Sequence, residues 1–339
     1  MSHFARPTTL GLHKVNIIVV YSAVHYFQVA GRCMAIDKNK ILLISLLYVV
    51  HSFVYADDAQ IQPSGQAEPQ ASSSAIDRRM KLERSTQDNP FVITPHKPNY
   101  ALVTYAESPN QAPFDEFNLD LQNVEIKFQF SVKIPLAREV FTENGYLFVA
   151  YTQKAHWQMF NSSMSAPFRD TNHEPELFIS FLTRQPFLGM TNRFINFGIN
   201  HQSNGRSGTQ SRSWNRLYAE FILEKDHFYL SVKPWWRIPE EDKSDPQDTT
   251  GDDNPDITDY MGYGEVIGLY EWKRHRLGFM VRNILPDPYR GAVQLDWSLP
   301  LRNKVRGYVQ YYNGYGETLL DYNFYSNRIG IGVMLIDWL

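Results

Sequence analysis

The chain has 339 residues, of which 43% are hydrophobic, 14% aromatic and 20% charged; 33 Lys+Arg against 36 Asp+Glu leave a net charge of −3. That balance argues against a nucleic-acid binder, which needs a basic excess, and the apolar content excludes wholesale disorder. A single Cys excludes a disulfide scaffold and a Cys-rich metal centre, and the length suits either two domains or one all-β barrel.

Residues 34–56 open the readable part of the chain. Lys38 and Lys40 precede a ten-residue apolar core at 41–50, and Val54-Tyr55-Ala56 ends it in a small-x-small pattern. This is the layout of a cleaved secretory signal peptide, and the apolar run is too short for a membrane helix. Met34 stands where such a peptide starts, so residues 1–33 read as an over-extended N-terminus; the alternative is a real extension with a second apolar run at 15–23. Cleavage after Ala56 removes Cys33, the only Cys, as befits an exported chain. Residues 57–97, rich in Gln, Ser, Pro and charge up to about residue 90, read as a flexible periplasmic arm.

From residue 98 onward the pattern has period two. Val124, Ile126, Phe128, Phe130, Val132 and Ile134 alternate with Glu125, Lys127, Gln129, Ser131 and Lys133. A helix would mix these sets on one face, whereas a strand separates them. Val293, Leu295, Trp297 and Leu299 alternate with Gln294, Asp296 and Ser298, and the last strand repeats the pattern through Ile329, Ile331, Val333 and Leu335 towards Trp338-Leu339. Such segments fall near 99–108, 122–134, 145–158, 174–184, 193–203, 214–224, 227–236, 260–271, 274–284, 290–299, 303–313 and 327–339. About twelve aromatic-rich strands behind a signal peptide predict an all-β, antiparallel transmembrane β-barrel of the outer membrane over 98–339. A soluble periplasmic β-sandwich or barrel is the alternative. Short turns near 185–192 and 225–226 then face the periplasm, and the long segments 159–173, 204–213 and 237–259 share the extracellular rim. Inward-facing Glu125, Lys127, Lys133, Arg290 and Asp296 are expected to pair as a plug, since about twelve strands leave little lumen.

One cluster carries chemistry. Ile195, Phe197 and Ile199 set the lipid-facing parity of their strand, and His201 and Ser203 share it; on the next strand Leu217, Ala219, Phe221 and Leu223 set the parity that Asn215 shares. All three project outward at the outer end of the apolar band, where a lipid ester sits. Ser, His and an orienting acceptor are the parts of a nucleophilic hydrolase. His-x-Ser on a strand is by itself a weak signal and fits an interfacial polar pair. Segment 237–259 adds nine acids (Glu240, Glu241, Asp242, Asp245, Asp248, Asp252, Asp253, Asp256 and Asp259) on the same rim. Hard oxygen donors suit calcium, and a solvated loop bridging to lipopolysaccharide through divalent ions is the plainer reading.

The strings His201-Gln202-Ser203-Asn204-Gly205-Arg206-Ser207, Ser211-Arg212-Ser213-Trp214-Asn215-Arg216 and Asp252-Asp253-Asn254-Pro255-Asp256-Ile257-Thr258 resemble the signature of the outer-membrane phospholipase A family. Tyr151-Thr152-Gln153-Lys154, Pro167-Phe168-Arg169 and Gly314-Tyr315-Gly316-Glu317 with Asp321-Tyr322-Asn323 are further matches, and the resemblance runs from Asp88 to Leu339. It implies Ser203 as nucleophile, His201 as general base and Asn215 as the residue orienting the imidazole. It also implies Ca2+ dependence in a homodimer, with calcium at the subunit seam between Ser165 of one partner and Arg206 (through its carbonyl) and Ser211 of the other. Asp253 matches a further ligand and Gln153 a polar residue of the dimer interface. Gly208 departs from the pattern: an acidic residue is expected there, which puts a monomer calcium site in doubt. The expected activity is calcium-dependent hydrolysis of glycerophospholipid acyl esters (phospholipase A1/A2, lysophospholipase) in the outer membrane, with phospholipid as substrate and no nucleic-acid partner. A non-enzymatic porin or structural barrel is the alternative, and an outer-membrane protease ranks last because its polar groups belong above the membrane.

Overall fold

The structure, a computed structural model, describes residues 74–86, 93–117 and 120–336 other than 246, 247, 249, 287, 303 and 304. The readings of 1–33, of the signal peptide 34–56 and of Trp338-Leu339 therefore lie outside the described residues. Alternating sequence becomes strand: β1 (Thr94–Pro95), β2 (Asn99–Ala106), β3 (Val124–Arg138), β4 (Gly145–Trp157), β5 (Phe168–Phe187), β6 (Met190–Ser203), β7 (Ser213–Lys225), β8 (Phe228–Arg237), β9 (Gly264–Trp272), β10 (His275–Arg282), β11 (Ala292–Arg302), β12 (Val305–Gly314) and β13 (Ser326–Ile336). From β2 to β13 each strand pairs antiparallel with its chain neighbour, and β13 returns to β2 with Ile331 opposite Val103. The result is a closed twelve-stranded barrel; β1 adds a short rung on β3, with Thr94 opposite Lys133.

The outward face is apolar and bare. Ile331 is 65% exposed, Leu295 51% and Val103 45%, an arrangement that only hydrocarbon makes favourable. Aromatic side chains gather at both edges of this band. Trp272 and Trp297 flank His275 near the 273–274 turn, and Tyr105, Phe168 and Tyr325 stand at the opposite rim. Connections 188–189, 226–227 and 273–274 are two residues long and sit on one rim; 158–167, 204–212 and 238–263 sit on the other. The tight turns carry left-handed residues where twisted hairpins need them, as at Leu188 (φ 50) and Gly189 (φ 77).

The lumen is lined by paired charge. Glu125, 1% exposed, accepts from His156 Nδ1 (2.9 Å), Gln158 Nε2 (3.0 Å) and Arg169, and pairs with Arg328 Nη1 (2.6 Å). Lys127 meets Glu317 (2.9 Å), and Asp296 accepts from Tyr308 Oη (2.6 Å). Segment 315–325 folds into the extracellular mouth, where Leu319 N and Leu320 N donate to Asn172 and Asp170 and Asp321 pairs with Arg169. A buried apolar cluster of Trp214, Tyr218, Trp235, Ile257, Met261, Leu319 and Tyr322 lies beneath that rim. The short helix α2 (Ile257–Met261) contributes Ile257 and Met261 to it.

Three expectations need correction. Part of the segment read as a flexible arm is helix α1 (Ala75–Thr86), whose Ala75 and Ile76 are buried with Tyr229 and Leu269 inside the barrel. Ala75 N donates to Tyr229 Oη (3.0 Å), Asp77 pairs with Arg193, and Glu83 pairs with Lys133 (3.1 Å). Beyond this apolar patch the helix is polar because it faces lumenal charges, so its composition mimics a solvated arm. Arg290 does not join the plug: it precedes β11 and pairs with Asp259 (3.1 Å) on the rim. Finally, β5 begins at Phe168 rather than near 174, because its first inward side chains are buried charges instead of an apolar alternation.

Cutting one member of the Glu125 cluster strands its partners away from water. Arg169→Ala is expected to cost about 3–5 kcal/mol, seen as a lower temperature at which the folded electrophoretic form is lost. An unchanged transition would show that the cluster does not stabilise the barrel.

Candidate active site

Strand parity sets every functional direction. On β6 the side chains of Asn196, Asn200 and Gln202 enter the lumen, where they meet Glu220, Glu174 and Trp214 Nε1. The residues between them therefore point outward. His201 lies directly opposite Asn215 of β7, and Ser203 opposite Ser213. His201, Ser203 and Asn215 are each half-buried at the extracellular end of the lipid-facing surface. Gln202 points inward, as its parity required.

His201 Nδ1 lies 2.9 Å from Asn215 Oδ1. Since Oδ1 only accepts, Nδ1 carries the proton, and Nε2 presents its lone pair. Ser203 follows two residues later on the same face, about 7 Å along the strand; no hydrogen bond joins Ser203 Oγ to the imidazole in this arrangement. Side-chain rotation on one face closes such a gap, and catalytic contacts of this type are commonly loose before substrate binds.

Loop 204–212 is tied down by one buried side chain. Asn204 Oδ1 accepts from Arg212 N (3.0 Å) and Arg206 N (3.3 Å), and its Nδ2 donates to Gln210 O (2.9 Å). The Arg206 guanidinium reaches back to Arg169 O (2.7 Å) and Gln210 Oε1 (2.6 Å). Gly208 occupies a left-handed conformation (φ 60) and brings no carboxylate.

Ser211 Oγ and Ser213 Oγ donate to Asp253 Oδ2 at 2.8 and 3.1 Å, and Lys243 Nζ holds Asp253 Oδ1 at 2.6 Å. Two of the expected metal ligands, Ser211 and Asp253, are thus in contact. Ser165 is apart from them, exposed on loop 158–167 in a left-handed conformation (φ 57). Among the described residues no group of three or more His, Cys, Asp or Glu converges as a metal cage. The donors that are present, hydroxyl and carbonyl oxygens with one carboxylate, suit a hard cation held with modest affinity, so the set fits calcium.

Two neighbours escaped the sequence reading. Asn215 Nδ2 donates to Glu240 Oε1 (2.9 Å), and His173 of β5 lies opposite Ser203 with its Nδ1 2.7 Å from Tyr151 Oη. Ladder register lines up Phe130, Gln153, His173, Ser203 and Ser213 across five adjacent strands, so Gln153 stands outward in the same row as Ser203. His173 was detectable from parity, because it is in phase with outward Leu177; Glu240 lay unmarked among nine acids.

Residues 76–335 match the protein family described as Phospholipase A1. The chain is 38% identical over 293 residues to Phospholipase A1 of Escherichia coli K12, covering 86% of this chain and 96% of that protein. The solved outer membrane phospholipase A of Escherichia coli superposes with a TM-score of 0.68 at 40% identity, covering 74% of this chain and 95% of the other. The Salmonella typhi outer membrane phospholipase, crystallised as a dimer with bound calcium, gives 0.68 at 41% identity over 74% of this chain and 94% of its own. A closed twelve-stranded barrel and matches at this level over most of the chain have one reading: the protein belongs to the phospholipase A1 family of outer-membrane barrels.

Proposed function

We propose that the chain hydrolyses acyl esters of glycerophospholipids in the outer membrane, with Ser203, His201 and Asn215 as a triad, and that it acts as a calcium-dependent homodimer. The observation that carries this reading is the outward direction of all three side chains, with His201 bonded to Asn215 at the edge of the apolar band. A triad turned into the lumen would meet charge pairs instead of lipid.

In this reading Ser203 Oγ attacks the ester carbonyl carbon as His201 Nε2 removes its proton. Asn215 holds the Nδ1 proton and so keeps Nε2 available. The tetrahedral adduct collapses with cleavage of the ester C–O bond, and the imidazolium returns its proton to the departing lysophospholipid oxygen. Water then hydrolyses the acyl-enzyme by the same general base, releasing the fatty acid. Calcium, when bound, supplies positive charge to steady the developing oxyanion. Ser211, Asp253 and the Arg206 carbonyl would hold it together with a partner's hydroxyl equivalent to Ser165. A neutral Asn keeps a formal charge out of contact with hydrocarbon. Bare apolar side chains beside the site, such as Leu177 and Ile199, suit both acyl chains and a second copy of the barrel, with Gln153 as a polar contact at that seam.

Ser203→Ala and His201→Ala are each expected to lower kcat on phospholipid by about 10³-fold or more, whereas His173→Phe loses less than about tenfold because it lacks the Asn215 partner. Turnover surviving both Ser203→Ala and a chelator would remove the mechanism. Calcium gives a second check. Lys243 competes for Asp253, so Lys243→Ala is expected to lower the calcium concentration for half-saturation several-fold in calorimetric titration, roughly the effect of one released ion pair, and Asp253→Ala to raise it. Identical titrations for both variants and the parent would show that Asp253 is not a ligand.

A further inference from the structure

The amide of Asn215 has two ends, and only one of its two orientations serves the proposed triad. With Oδ1 towards His201, the imidazole keeps its proton on Nδ1 and offers Nε2 to Ser203; with the amide reversed, an N–H faces the ring and favours the opposite tautomer. Nothing within the triad itself chooses between them. The choice falls to whatever sits at the other end of the amide, and that is the carboxylate of Glu240, 2.9 Å from Asn215 Nδ2. An ionised carboxylate can only accept hydrogen bonds, so it selects the NH2 end and turns Oδ1 to the histidine.

Glu240 is held for this task by its backbone. Ile238 N donates to Asn215 O (2.8 Å), fastening the segment that leaves β8 onto the very residue whose side chain it contacts. Pro239 restricts the next backbone torsion. Glu241 O then accepts from Asp252 N (2.7 Å), so the chain is anchored on both sides of Glu240. The carboxylate is half-buried at the aqueous rim, which keeps its charge solvated on one side while it touches the amide on the other.

We propose that Glu240 is a positioning residue of the catalytic site: its carboxylate locks the Asn215 amide in the orientation that makes His201 a base. The site is then a relay of four side chains, Glu240–Asn215–His201–Ser203, in which the formal negative charge stands one residue further from the hydrocarbon than in an Asp-containing triad. This inference rests on the proposed Ser203–His201–Asn215 reading.

The test is a double-mutant cycle on the full-length barrel in mixed phospholipid micelles, with saturating calcium. Glu240→Ala is expected to lower kcat on the order of tenfold with KM within about twofold, the usual scale for removing an outer partner of a functional side chain. Glu240→Gln, whose amide can accept through Oε1 but can also turn an N–H to Asn215, recovers only part of that loss. In an Asn215→Ala background Glu240→Ala changes kcat by less than about twofold, because its effect passes through the amide. Wild-type kcat in Glu240→Ala, or an equal loss in both backgrounds, overturns the proposal while Ser203→Ala remains inactive. Should Ser203→Ala itself turn over phospholipid, the triad reading fails, and the inference with it. Electrophoretic mobility of the folded barrel is measured alongside; if Glu240→Ala does not fold, the Gln variant decides, and a Glu240→Gln kcat below that of Asn215→Ala overturns the proposal.

Discussion

A peptide group inside a bilayer has no water to bond, so every strand of the barrel wall must pair on both sides. That requirement closes β13 onto β2 and leaves no free edge in the barrel. Closure in turn fixes register, and register fixes which way each side chain points. A slip of one residue on β6 would send His201 and Ser203 into the lumen and Gln202 into the lipid. The inward bonds of Asn196, Asn200 and Gln202 oppose such a slip. The direction of the proposed catalytic groups is therefore a consequence of backbone pairing, enforced from the opposite face of the sheet.

The lumen and the site divide the polar residues between them. Charges too costly for hydrocarbon are gathered inward, where Glu125, Glu176 and Glu317 each meet at least two basic groups. Segment 315–325 lies in the extracellular mouth and α1 docks among lumenal residues, so the interior is braced by chain as well as by paired charge. Near its extracellular edge the outward surface carries a cluster of polar side chains, His201 and Asn215 together with the row Gln153, His173, Ser203 and Ser213. In the proposed reading, a lipid ester at that depth finds acceptors, donors and a base without leaving the membrane.

Much of this was legible in the sequence because a strand repeats every two residues and hydrocarbon punishes errors of parity. The twelve strands, the shared rim of the long loops and the outward set of His201, Ser203 and Asn215 all follow from that alternation. What stayed hidden lacked a period. Helix α1 buries a short apolar patch, Ala75, Ile76 and Met80, and otherwise carries lumenal salt bridges, so it reads as a solvated arm. The first residues of β5 present buried charge where an apolar alternation was expected. Arg290 shares the inward phase of β11 by counting, but the strand begins only at Ala292. Glu240 sits in an acidic loop whose composition gives no hint of which carboxylate turns back to the strand; that depends on the Ile238–Asn215 backbone bond.

The most direct measurement of the central claim is covalent. A long-chain alkylsulfonyl fluoride reaches its target through the lipid phase and marks an activated serine irreversibly. Peptide mass spectrometry of the treated, folded barrel is expected to place the sulfonyl group on Ser203 and to find it absent when His201 is replaced. Modification of a lumenal serine such as Ser131 or Ser298 in its place, or labelling of Ser203 that is indifferent to His201, would contradict a lipid-facing nucleophile activated by that histidine.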